Sequence, residues 1–392
     1  MVSKIKIQQF NASRQVKDTS HLCYAPLLSL NFDQTGNVTA CCFNRSHVLG
    51  TYPENNLKEI WEGRQAELLR AAMIEQRLDL GCRICERIIE DGNYESVLIR
   101  HFDNFFHFLK EKPSDSTSWF DKTKWSKLPA PSVFEFEISN TCNLECIMCG
   151  GKWSSAIRKN REKLAAIQSP YDNEFVEQVK EFLPELQRAN FLGGEPFLIS
   201  LYYEIWEAII AINPAIDVAI TSNGTILNER AKRIIEKLPH CYIALSIDSL
   251  QKKTWESIRV NGQFEVLKQN IDYLLTTGKL ASFSVCPMIQ NRYEIPEIVT
   301  FCVNNDLDIY FNVVYEPLGG KIEGIHQNTG KGIIPETTLQ ALPDDKLAEL
   351  IDYYKSFSFS GRYKAQFGNL ISQLQFWLKS KSGQTIDSAS IS

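Results

Sequence analysis

The chain is predicted to be an α/β protein in which parallel strands joined by helical crossovers follow a small, cysteine-rich α+β domain. From residue 132 onward, short apolar strands alternate six times with amphipathic helices, the signature of a parallel sheet. Ahead of that run, five cysteines (Cys23, Cys41, Cys42, Cys82 and Cys85) group around a turn and a helix. A chain of 392 residues, 44% hydrophobic and 23% charged, is long enough for one large domain and a smaller one.

Composition narrows the classes. A net charge of −5 and a pI near 5.8 give no basic footprint, so nucleic acid is not the expected partner. The first ten residues lack an apolar signal core, and no apolar run approaches the roughly 18 residues needed to span a membrane. A cytoplasmic location with no membrane partner is expected. In that reducing compartment eleven cysteines point to metal rather than to disulfides.

Taken from the N-terminus, residues 21–40 hold two strand-like runs around Asp33-Gln-Thr-Gly36, a hairpin that brings Cys23 near Cys41. A helix begins at Leu57-Lys-Glu-Ile-Trp61 and is expected to continue through Glu67-Leu-Leu-Arg70. With Cys82-Arg-Ile-Cys85, four ligands could close a site. Spacing alone leaves a four-cysteine zinc ribbon and a four-iron cluster both open. Residues 93–131 form a connector. Its aromatic, helical part, 94–112, carries Phe102, Phe105, Phe106 and Phe108, which are expected to pack as core; 113–118 and 127–131 are poor formers of regular structure.

Strands are expected at 133–139, 190–192, 218–222, 242–248, 283–289 and 309–315, with helices at 174–182, 201–212, 229–238, 264–276 and 296–305 between them. Period-two alternation turns Glu135, Glu137, Ser284, Cys286, Met288, Gln290, Tyr310 and Asn312 inward. Beyond the glycine-rich 319–324, helices at 347–354 and 370–378 within a C-terminal extension, 321–378, would cover an open sheet edge. Residues 379–392 read as a flexible tail.

The first strand leads into Cys142-Asn-Leu-Glu-Cys146-Ile-Met-Cys149. Three thiolates at this spacing are soft ligands for zinc or an iron–sulfur cluster, and the absence of a fourth nearby Cys or His leaves the set incomplete for structural zinc. Here the sequence resembles the radical S-adenosylmethionine (SAM) superfamily. The resemblance implies a partial (β/α)6 barrel over 132–320, and a [4Fe-4S] cluster on Cys142, Cys146 and Cys149 whose open iron binds the amino and carboxylate groups of S-adenosyl-L-methionine. Further matches extend it. Gly193-Gly-Glu-Pro196 resembles the motif that receives the SAM amino group, implicating Gly193, Gly194 and Glu195. Ser222 and Asn223 of Thr221-Ser-Asn-Gly224 stand where the family contacts the ribose, and Ser246 and Arg259 where relatives hold the SAM carboxylate. Met148 departs from the family, which often has an aromatic residue there against adenine; a thioether can also pack on a purine face.

The N-terminal pattern, with Cys23, Gly36-x4-Cys41, the 57–61 helix and Cys82-x2-Cys85, resembles the twitch domain, the one-cluster relative of the SPASM domain. It implies an auxiliary [4Fe-4S] cluster over residues 1–92, on Cys23, Cys41, Cys82 and Cys85, with Cys42 spare. Such domains generally follow the barrel, so the order here is permuted. The implied activity is reductive cleavage of SAM to a 5′-deoxyadenosyl radical that abstracts hydrogen from a substrate. A peptide substrate (oxidation, cross-linking or epimerisation) is favoured, a sugar-like small-molecule dehydrogenase is the alternative, and a flavodoxin- or ferredoxin-type protein would donate electrons. Cys286 is a candidate hydrogen-atom donor; Cys241 and Cys302 read as core thiols. Outside the superfamily, an electron-transfer module or a zinc scaffold would use the same cysteines.

Overall fold

A computed structural model describes residues 2–109, 130–313 and 337–381. The expected irregular segments 113–118 and 127–129, the ends of the connector helix and of the sixth strand, the 319–324 stretch and residues 382–392 lie outside the described residues.

Nine described strands form one sheet: β1 (Ser29–Phe32), β2 (Asn37–Thr39), β3 (Gly50–Thr51), β4 (Val133–Phe136), β5 (Arg188–Phe191), β6 (Asp217–Ser222), β7 (Cys241–Ser246), β8 (Leu280–Val285) and β9 (Asp308–Phe311), in the spatial order β3-β2-β1-β4-β5-β6-β7-β8-β9. From β4 to β9 every neighbour is parallel. The crossovers carry helices Asn173–Phe182, Ser200–Ile212, Glu229–Lys237, Phe264–Thr276 and Ile295–Asn304. Each exists for legible reasons. In the first, Asp172 caps the N-terminus by accepting from Phe175 N, and Phe175, Val176, Val179 and Phe182 put one apolar stripe on the sheet. The expected α/β class and its six parallel repeats are present, as a partial barrel.

The N-terminal hairpin is not a separate layer. β1 pairs in parallel with β4, Ser29 opposite Val133 through Phe32 opposite Phe136, so the cysteine-rich region adds three strands to the barrel's first edge. Stacked rings close the seam: Phe32 lies 5.3 Å from Phe136, which lies 4.9 Å from Phe191. The turn is built as its residues dictate, with the Asp33 carboxylate accepting from Thr35 N, Thr35 Oγ1 and Asn37 N. Gly36 sits at φ +91°, where a Cβ would come 2.3 Å from the Tyr52 carbonyl oxygen.

Several expectations are corrected. The 57–70 helix is two, Leu57–Glu62 and Arg64–Ile74, because Gly63 is extended between them. The aromatic connector is broken into short turns around helix Ile99–Asp103, with Phe102 and Phe105 in the core as expected. The strand expected at 283–289 ends at Val285, ahead of Pro287, which cannot donate to a ladder. Gln290 therefore leaves the sheet and is exposed, and Tyr310, on the last strand, is half exposed rather than enclosed. At that edge, helix Gly361–Lys381 packs on β9 as expected, with Arg362 paired to Asp308 at 3.0 Å and the Tyr363 hydroxyl donating to Cys302 O. Among the described residues no helix is long and apolar enough to cross a membrane.

Candidate active site

The loop that follows β4 is pinned residue by residue. Glu145 N donates to Val260 O and Ile147 N to Ile258 O, both at 3.0 Å, so the cysteine loop is zipped onto the segment holding Arg259. The Glu145 carboxylate accepts from Asn160 and Asn261, and Cys142 N donates to Ser155 Oγ. Ser154 Oγ donates to Leu144 O while capping helix Ser155–Asn160. From the next strand, Gly193 and Gly194 press against this loop: a Cβ on Gly193 would meet Ser139 O at 2.7 Å, and one on Gly194 would meet Thr141 O at 2.1 Å. Only glycine permits that approach.

These contacts turn Cys142, Cys146 and Cys149 into a cavity of about 560 Å³, within the usual range for small-molecule sites. Met148, Gly193, Gly194, Ser222, Asn223, Ser246 and Arg259 line the same cavity, so ten of the eleven expected positions around the three-cysteine loop converge and one does not. That one is Glu195. Its side chain is fully buried behind the wall, with Oε1 accepting from Ser222 Oγ at 2.9 Å and Phe197 N at 3.3 Å, and Oε2 from Asn223 N at 2.8 Å. Burial, only partly offset by these donors, pushes its carboxyl up to about 7. Glu195 thus holds the 222–223 turn from behind the cavity wall.

Arg259 is oriented by a residue that sequence reasoning passed over. Asp248, fully buried at the end of β7, accepts Arg259 Nε at 2.6 Å on one oxygen and Cys286 N at 2.8 Å on the other. Its position two residues beyond Ser246 was the available signal. The guanidinium also reaches Cys146 Sγ at 3.6 Å, and Asn223 Nδ2 reaches Cys142 Sγ at 3.9 Å. Cys286 does not line the cavity; it packs with Ile258 and Met288 against Met148.

The donor set suits an iron–sulfur group. Burial pushes the Cys142 thiol up to about 11 and that of Cys149 to about 12, and neighbouring thiolates add to the shift, so a cationic metal group is what would make all three thiolates at once. Among the described residues no three Cys, His, Asp or Glu side chains are gathered closely enough for one metal ion. The thiols surround a space instead.

A second, smaller cavity is walled by Cys23, Cys41, Cys82 and Cys85 with Ile99 and Phe102 from the connector. Burial raises all four thiols, Cys41 to about 11 and Cys85 to about 12. Ala25 N and Asn44 Nδ2 each point at a sulfur, 3.4 Å from Cys23 and Cys82 respectively. Cys42 faces away, into the large cavity. Glu137 lines that cavity too, held by Arg45 at 2.6 Å, while Glu135 is buried and raised to about 7 by burial and by Glu137.

A parallel partial barrel with a three-thiol cavity at its strand ends, joined to a four-thiol module, defines a protein built to hold two iron–sulfur groups. Comparison with known proteins names the class. Residues 136–302 match the radical SAM superfamily and residues 23–86 the SPASM iron–sulfur cluster-binding domain. The chain thus carries a radical SAM domain over residues 136–302 and a SPASM-type iron–sulfur domain ahead of it, over 23–86. The cofactors of these two domains are S-adenosyl-L-methionine with a [4Fe-4S] cluster, and one auxiliary [4Fe-4S] cluster. Among similar sequences, a GTP 3′,8-cyclase of Saccharophagus degradans is 30% identical over 129 residues, 32% of this chain and 38% of that protein. The mycofactocin maturase MftC of Mycolicibacterium smegmatis is 23% identical over 176 residues, 43% of this chain and 41% of that one. This chain therefore spans well under half the length of either relative. Among solved structures, Streptococcus suis SuiB bound to S-adenosylmethionine aligns at 17% identity and a TM-score of 0.43, covering 74% of this chain and 61% of SuiB.

Proposed function

We propose that this protein is a radical SAM enzyme that abstracts a hydrogen atom from a peptide, with Cys142, Cys146 and Cys149 holding the SAM cluster and Cys23, Cys41, Cys82 and Cys85 the auxiliary one. The observation that carries this reading is the shared cavity: the three thiols open onto the same space as the ends of β5, β6 and β7 and one face of the SPASM-type domain. Bound there, the cluster and SAM would supply the chemistry, reductive one-electron cleavage of the sulfonium C–S bond followed by hydrogen abstraction from substrate. The protein's own part is placement and exclusion of water. The Arg259 guanidinium, fixed by Asp248, suits the SAM carboxylate. Gly193 and Gly194 present backbone at close range, and the turn at Ser222 and Asn223 offers polar groups to the ribose. A SPASM-type domain lining the far side of the cavity supports a peptide substrate, and a saturated four-thiol cluster would accept the electron left after abstraction.

The test is the triple change of Cys142, Cys146 and Cys149 to Ala in anaerobically reconstituted protein. On the assumption of two four-iron clusters, iron falls from about eight to about four per chain, and 5′-deoxyadenosine formation from SAM with dithionite stops. Cleavage that survives the change would remove the central claim.

A further inference from the structure

The corner of the cavity beneath the SPASM-type domain is built differently from the SAM-facing end. It lies by β4, three strand spacings or roughly 14 Å along the sheet from β7, which carries Ser246. Two cations converge there on one aromatic ring: the Arg45 guanidinium carbon is 4.7 Å and Lys152 Nζ 5.2 Å from the centre of the Trp153 ring. Arg45 is clamped by Glu137 through one terminal nitrogen, and its other terminal nitrogen, Nη1, is buried with no hydrogen-bond partner. Lys152 makes no ion pair among the described residues, and its main chain is held in place by Gln34 Nε2 donating to its carbonyl at 3.1 Å. All three side chains line the cavity. A desolvated guanidinium nitrogen beside an unpaired ammonium is a pair of donors lacking an acceptor.

We propose that this corner anchors the substrate by a single carboxylate, received between Arg45 Nη1 and the Lys152 ammonium over the Trp153 ring. This deepens, and rests on, the peptide reading above. One carboxylate fits better than a polyphosphate, because Glu137 already pairs with Arg45 at 2.6 Å and leaves a single positive charge at the corner for a ligand. The guanidinium has only one arm left for a ligand, which suits a lone oxyanion. The carboxylate could come from an acidic side chain or from a peptide C-terminus.

Equilibrium binding to the reconstituted holoprotein with SAM separates these sources, using N-acetylglutamate amide (side-chain carboxylate), N-acetylglutamine (terminal carboxylate), N-acetylglutamine amide (neither) and inorganic pyrophosphate. At least one carboxylate probe is expected to bind tenfold or more tighter than the neutral one and tighter than pyrophosphate, and the better probe identifies the source. Lys152→Gln should remove that preference with iron content unchanged, and Arg45→Gln, on the other domain, should do the same. Equal binding of the neutral probe, tighter binding of pyrophosphate, or a preference that persists in both variants overturns the proposal. Product analysis is independent: a carboxylate preference in a protein that modifies no peptide would keep the subsite and remove the peptide reading.

Discussion

Arg259 and Glu195 were read from the sequence as a pair of ligand-facing charges, and their environments separate them. Arg259 lines the cavity with its orientation set by Asp248, so Arg259→Ala should keep its iron and bind SAM more weakly by about 1.5–3 kcal/mol, the usual range for a charged hydrogen bond. Equilibrium dialysis with SAM checks this, and unchanged affinity would take Arg259 out of the site. Glu195 lies behind the wall, and its signature is in stability. Its carboxyl is raised to about 7 from an ordinary 4.5. Below 4.5 it is protonated folded or unfolded; between the two values the folded protein keeps a proton that the unfolded chain has released. Its contribution is therefore present at low pH and lost as pH rises toward 7, by up to about 1.4 kcal/mol per pH unit. Glu195→Gln removes this dependence, so denaturant titrations from pH 5 to 7.5 should show the wild type losing stability relative to the variant. A difference that stays flat with pH would refute the assignment. The motif around Glu195 was legible from its glycines, but which way the carboxylate points depends on Ser222 and Asn223, residues that meet it only once β5 and β6 lie side by side.

At the scale of elements, the loop after β5 and the cysteine loop after β4 are one mechanical unit, because Gly194 has no room for a side chain. A Cβ there would lie 2.1 Å from the Thr141 carbonyl oxygen, a backbone atom that cannot swing aside. Gly194→Ala should push the cysteine loop out of register while leaving the buried sheet intact. The expected result is a folded protein with reduced iron and 5′-deoxyadenosine formation at least a hundredfold slower; wild-type rates would show the loops to be independent. The six parallel strands and their helices were legible because each is a local pattern of apolar spacing and caps, with errors of a few residues at strand ends. Pairing between β1 and β4 was not legible: about a hundred residues separate them, and nothing in either segment names its neighbour. Gly63 likewise broke a helix whose apolar spacing continues on both sides.

Over the whole molecule, that unexpected pairing brings the two cavities together. Cys41 and Cys42 follow β2 as consecutive residues, the first on the wall of the four-thiol cavity and the second on the wall of the large one, so the partition between the two is in part a single stretch of backbone. A cluster on Cys23, Cys41, Cys82 and Cys85 would stand next to the substrate end of the active cavity, well placed to take an electron from it. The same cluster would contribute folding energy to its own module. The two roles separate on Cys82→Ala plus Cys85→Ala. The hairpin is tied to β4 by a backbone ladder and by packed rings, not by the thiols, so the barrel should stay folded without that cluster. The variant is expected to remain soluble, to hold about four irons and to cleave SAM with dithionite, yet to release no modified substrate. Full product formation would show the auxiliary cluster to be structural or dispensable; soluble protein that no longer cleaves SAM would show that the shared sheet couples the two cavities more tightly than its hydrogen bonds alone imply.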